Sequence, residues 1–149
     1  YIDKENGFHF YGAVDDVWVK PDGELILSDV KSTSKNEFNW DKTWQSYDYP
    51  KGYRRQLEMY QWIFRKNNFK VSNTGYLVYY NGLKNEPMFN QSLKFELHLV
   101  ELECDDGWVE DAIISAKNLL ESEEYPGGSK NCDTCQYLKN RWNVNKTVN

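Results

Sequence analysis

The sequence predicts an α/β fold, a single domain with a central mixed β-sheet flanked by helices. Two observations carry this. Strand-like runs and helix-like runs alternate in the order β-β-α-β-β-α, as expected when helices cover a sheet. The chain of 149 residues, 40% of them hydrophobic and 24 aromatic (6 Trp, 11 Tyr, 7 Phe), has material for one proper core and too little length for two.

Taken in order, residues 8–19 (FHFYGAVDDVWV) are aromatic and β-branched and read as a strand. Lys20-Pro21-Asp22-Gly23 has turn chemistry, with Pro and Gly at fitting offsets. Residues 24–31 (ELILSDVK) read as the returning strand, which makes 8–31 a hairpin. Residues 32–52 show no clear period and hold Trp40, Trp44, Tyr47 and Tyr49. A connection this long is usually functional or hides a short element. In residues 53–68, Tyr53, Leu57, Tyr60 and Phe64 recur at helical spacing. Residues 74–81 and 93–103 read as two more strands. In the latter, Leu93, Phe95, Leu97, Leu99 and Glu101 alternate with Lys94, Glu96, His98 and Val100, a half-buried pattern in which His98 reads as a surface residue. Residues 108–120 form a second helix, capped by Asp105 or Asp106. From Glu121 the chain reads as loop, with 126–149 a polar tail.

Net charge is −5, which on its own speaks against a nucleic-acid partner. The charge is uneven, however. Residues 51–70 sum to +5, with six Lys and Arg against Glu58, whereas 101–124 sum to −8. No run approaches the roughly 18 apolar residues of a membrane helix. The three cysteines, Cys104, Cys132 and Cys135, make no disulfide framework, which points to an intracellular compartment. The first methionine is Met59, so the chain is expected to be a piece of a longer product.

The hairpin holds the candidate chemistry. Asp29 and Lys31 are two apart on a strand and project to one face. Asp15 can reach that place from the paired strand. Two carboxylates and a lysine converging at a sheet end suit a hard cation such as Mg²⁺ and the hydrolysis of a phosphodiester, with the lysine orienting water and offsetting charge on phosphorus. For the Asp-x-Lys pattern alone, an ion pair on an exposed sheet face is the simpler alternative. The aromatics at 40–49, beside Lys35, Lys42 and Lys51, suit either base stacking with phosphate contacts or packing over the sheet edge.

Gly12-Ala13-Val14-Asp15, then Asp29-Val30-Lys31-Ser32-Thr33, then Gln56 through Tyr60 resemble in order and spacing the motifs of the PD-(D/E)xK nuclease superfamily. More narrowly they resemble its RecB-type domains, which include CRISPR adaptation nucleases and RecB-like exonucleases. The resemblance spans about residues 8–80. It implies a restriction-endonuclease-like core and a DNA-cleaving enzyme dependent on Mg²⁺ or Mn²⁺. By the same resemblance Asp15 and Asp29 are metal-binding carboxylates, the Val30 carbonyl a further ligand and Lys31 the catalytic lysine. Gln56 and Tyr60, four apart on one helical face, touch the site and the substrate strand, and Arg54 and Arg55 support its phosphates. The partner is then DNA, single- or double-stranded, with no membrane and with protein partners left open. The other class of reading is an inactive module of this fold that binds nucleic acid or protein.

Two departures from the family pattern bear on this. Relatives place a helix before the first strand, whereas seven residues precede it here, so that helix is expected to be missing. Several relatives also hold an iron–sulfur cluster with one early and three late cysteines. Only Cys132 and Cys135 stand late here, either an incomplete site or a chance pair, and no bound cluster is expected.

Overall fold

The computed structural model describes residues 1–46, 49–86, 91–124, 127–129 and 131–147. Among the described residues the chain forms six strands and four helices: β1 (Ile2–Asp3), β2 (Phe8–His9), β3 (Asp16–Val19), β4 (Leu25–Thr33), α1 (Trp40–Ser46), α2 (Tyr49–Lys66), β5 (Thr74–Gly82), β6 (Phe95–Glu103), α3 (Val109–Glu121) and α4 (Asp133–Thr147). They fall into two compact units, residues 1–113 and 114–149.

In the first unit β3, β4, β5 and β6 form one mixed sheet in that order. β3–β4 and β5–β6 are antiparallel, and β4–β5 is parallel. The parallel pair requires a crossover, which α1 and α2 supply. The β3–β4 turn closes as its residues dictate: the Gly23 N–H bonds the Lys20 carbonyl at 2.9 Å, with Gly23 at φ 80°. α2 carries Pro50 in its first turn, where a missing N–H costs nothing. It ends on Asn68 at φ 66°, with the Phe69 N–H on the Phe64 carbonyl and the Asn68 N–H on the Arg65 carbonyl. The Phe64 and Phe69 rings meet across this stop at 5.5 Å. Asn in the left-handed position with an apolar clasp is a common helix ending.

One face of the sheet is covered by α2. Leu27, Leu57 and Leu77 are fully buried there beside Tyr79, Val100, Leu102 and Cys104. Each such leucine contributes about 1.5–3 kcal/mol by leaving water. Leu27, Asp29 and Lys31 alternate onto this face, so the packing that forms the core also sets the two polar side chains beneath α2.

Several sequence expectations need correction. The 8–19 strand is broken. Phe8 and His9 pair with Ile2 and Asp3, and only Asp16–Val19 joins the main sheet. The intervening segment follows α2 instead, because Tyr1 and Phe10 set their rings edge-on to Trp62 at 5.4 and 5.2 Å. The 32–52 connection hides α1, and the next helix starts at Tyr49 rather than 53. β6 turns the other side inward from the leucine-rich one. Val100 and Leu102 are buried while Phe95, Leu97 and Leu99 are more than half exposed. The register Leu77↔Val100 and Tyr79↔His98 forces this, since α2 lies on that side. His98 is therefore not a plain surface residue: it is half-buried and stacks on Phe38 at 4.2 Å. In the second unit, the stretch read as loop contains α4. Its polar sequence lacks an apolar period, but the Cys132 thiol sulfur accepts the Cys135 N–H (3.2 Å) as a helix cap does. No helix among the described residues is long and apolar enough to cross a membrane.

Candidate active site

Burying Asp29 and Lys31 beneath a helix is costly unless each polar atom is met. Asp29 is 2% exposed, and its Oδ2 pairs with the Lys31 ammonium. Gln56 on α2 spans the pair. Its Nε2 donates to Asp29 Oδ1 at 3.1 Å, and its Oε1 accepts from Lys31 Nζ at 3.2 Å. The same Nε2 lies 3.1 Å from the Tyr60 hydroxyl. The Lys31 ammonium also sits 4.5 Å above the Tyr53 ring. Positions 53, 56 and 60 share one helical face, so a single stripe of α2 covers the two β4 side chains. Tyr53 was read from the sequence only as a core position. Its place three residues before Gln56 was the available signal.

Asp15 arrives from a bend just before β3. The pairing of β3 with β4 stops at Asp16↔Ser28, which leaves the β4 edge open from Asp29 onward. Asp15 Oδ2 takes the open Val30 N–H at 2.8 Å. A strand residue directs its N–H and C=O to the same side, so the Val30 carbonyl faces this edge too. Burial pushes the Asp29 carboxyl above its ordinary value, Lys31 draws it back, and the charge of Asp15 pushes it up again. The fold thus makes Asp29 easier to protonate than an exposed aspartate. That contribution to stability is present in acid and is lost as pH rises through the raised value. A divalent cation would reverse this shift, because it offsets two neighbouring carboxylates. The donor set of Asp15, Asp29 and a backbone carbonyl is all oxygen, as Mg²⁺ and Mn²⁺ require. Asp29 Oδ2 meets the Lys31 ammonium, and the Asp15 carboxyl lies within hydrogen-bond reach of Asp29, so an ion held by both carboxylates would share Asp29 with Lys31. Among the described residues no third His, Cys, Asp or Glu joins the two carboxylates.

Asp16, next to Asp15, is used locally, accepting the Val17 N–H and the Trp18 indole N–H. The remaining sequence candidates lie elsewhere. Arg54 and Arg55 line a separate depression with Lys51. Trp40 packs on Tyr79 at the edge of the core, and Trp44 lies against Trp40. Tyr47 and the side chains of Lys42 and Tyr49 lie outside the described residues.

Cys132 and Cys135 are in the second unit. A hydrogen bond from Cys135 lowers the Cys132 thiol and raises its partner. Cys104 is 3% exposed, and burial pushes its thiol up to about 11. At mildly alkaline pH the native protein is therefore expected to lose two thiols to iodoacetamide, and the third only on unfolding. Alkylation of Cys104 in the native state, read by peptide mass mapping, would contradict this burial.

Residues 2–139 match the family model described as the PD-(D/E)XK nuclease superfamily. No curated protein and no solved structure gives a significant match to the chain.

Proposed function

The chain belongs to the PD-(D/E)XK nuclease superfamily, and on that premise we propose that it is a RecB-type nuclease hydrolysing DNA phosphodiester bonds with Mg²⁺ or Mn²⁺. The observation that carries this reading is the convergence of Asp15, Asp29, Lys31, Gln56 and Tyr60 from three separate segments on the middle of β4, where its pairing with β3 stops.

Asp15, Asp29 and the Val30 carbonyl would hold the cation, which when bound would supply Lewis-acid activation of the phosphoryl group and a more acidic water. Lys31 presents its ammonium to the attacking water and to the charge that grows on the phosphoryl oxygens. Gln56 keeps Lys31 and Asp29 at a fixed spacing, since its amide is bonded to both. Tyr60 holds that amide in place from one turn along α2 and offers its hydroxyl at the site. Low polarity beneath α2 strengthens each of these interactions.

The test is incubation of end-labelled DNA, single-stranded and duplex, with Mg²⁺, Mn²⁺ or EDTA. Products that form with a cation and not with EDTA are the expected result. No products with either ion would overturn hydrolysis and leave a binding module of this fold.

Gly12 gives a further check. A Cβ at this position would lie 2.9 Å from Cε1 of the Tyr60 ring. Gly12→Ala must displace that ring, at a cost of about 1–3 kcal/mol if the ring is confined. A lower melting temperature together with slower cleavage is expected. Wild-type melting and rate in this variant would show that Tyr60 is not held by its contact with Gly12.

A further inference from the structure

A second concave site in the first unit shares no residue with the carboxylate site. It encloses about 600 Å³ and is lined by Trp44 of α1, by Lys51, Arg54, Arg55 and Glu58 of α2, and by Asp105 and Trp108 of the β6–α3 connection. That volume is ordinary for a site that takes a small organic group.

Glu58 organises the wall. It is 4% exposed and receives three donors: Arg54 Nε at 2.8 Å, the Asp105 N–H at 3.1 Å and the Trp108 indole N–H at 2.7 Å. A buried carboxylate is tolerated when saturated in this way, and each of its donors belongs to the pocket. Glu58 thereby fixes a guanidinium and an indole side by side. Asp105, the other acid, takes the Gly107 N–H at 2.9 Å. Both acids are thus engaged by the protein itself. Arg54 uses its Nε on Glu58, and no partner of its two Nη groups is found among the described residues. Trp108 remains 38% exposed, and Trp44 is half-buried.

Two indoles beside two guanidiniums and an ammonium suit a flat π-system joined to a phosphate. Such a ligand would engage both kinds of lining residue, its flat ring on the indole faces and its phosphate on the guanidiniums. Bases stacked inside a duplex do not offer their faces, whereas those of a single strand do. We propose that this pocket binds one nucleotide of a single-stranded nucleic acid, its base against Trp44 and Trp108 and its phosphate against Arg54 and Arg55. The proposal rests on the nuclease reading for the identity of the polymer and adds that a strand leaves the duplex, or arrives unpaired, at this side of α2.

The experiment is tryptophan fluorescence titration in EDTA, so that binding is read without cleavage. The probes are oligothymidylate, the same strand annealed to its complement, and thymidine monophosphate. The single strand is expected to quench the emission and to bind more tightly than the duplex or the mononucleotide. Arg55→Ala, on the exposed side of α2, and Trp44→Phe, which keeps an aromatic ring in α1, provide the variants, with far-UV circular dichroism confirming the fold. Arg55→Ala is expected to weaken strand binding about fivefold or more and Trp44→Phe to reduce the quenching. Absence of binding, wild-type affinity and quenching in both variants, equal affinity for the duplex, or equal affinity for the mononucleotide would each overturn the proposal. Strand binding in EDTA combined with no cleavage in Mn²⁺ would sink the nuclease reading alone. Cleavage with no effect of either variant on binding would sink the pocket alone.

Discussion

Lys31→Ala is expected to lower metal-dependent DNA cleavage by about 10²–10³-fold or more, the range seen when one positioned charge-stabilising donor is removed from an active site. The side chain is held on every side. Its ammonium pairs with Asp29, bonds Gln56 Oε1 and lies over the Tyr53 ring, with 17% of the side chain accessible. Its reach to solvent is therefore toward whatever enters the site. Alanine removes the charge without touching the leucine core beneath α2. It also withdraws the influence that draws the Asp29 carboxyl down, so Asp29 becomes still easier to protonate. The fold is expected to persist, because a neutral Asp29 keeps its bond to Gln56. Cleavage rate at saturating Mn²⁺, with circular dichroism as control, is the measurement. Cleavage at the wild-type rate would remove Lys31 from the chemistry and with it the proposed mechanism.

Asp29→Asn is expected to abolish the response to metal. Its carboxamide nitrogen must face either the Lys31 ammonium or Gln56 Nε2, both donors, and Lys31 loses its counter-ion. In EDTA the variant should therefore melt lower than the parent. With Mn²⁺ the parent should gain stability, by about 2.7 kcal/mol when the ion is present at about 100 times its Kd, and the variant should gain none. Cleavage should disappear with the metal response. Thermal melts with and without Mn²⁺ read both effects. An equal metal-induced shift in the two proteins would exclude Asp29 as a ligand.

Local periodicity made the neighbourhood of the site side chains legible, whereas their candidacy came from the resemblance of three short motifs in order. Asp29 and Lys31 share a face by strand parity, Gln56 and Tyr60 by helical spacing, and the Lys20–Gly23 turn brings Asp15 back beside Asp29. The rest depended on tertiary choices that one strand or helix does not encode. Leu97 and Leu99 look like core in sequence, yet α2 packs on the side of Val100 and Leu102. Phe8 and Phe10 look like part of one strand with 16–19, yet Phe8 pairs in the separate β2 and both rings pack against the Trp62 cluster. α4 carries too few periodic apolar residues to announce itself. The basic run at 51–70 was visible, but its division was not. Arg54 and Arg55 line a pocket with Trp108, a residue far along the chain that the buried Glu58 ties to Arg54. Whole-chain charge concealed this, since the acids of residues 101–124 outweigh those cations in the sum.

Anomalous diffraction from crystals soaked in Mn²⁺ bears most directly on the metal-dependent assignment. A single strong peak bounded by the Asp15 and Asp29 carboxylates and the Val30 carbonyl, absent from Asp29→Asn crystals, is the expected result. A peak only elsewhere, or none at saturating Mn²⁺, would contradict it.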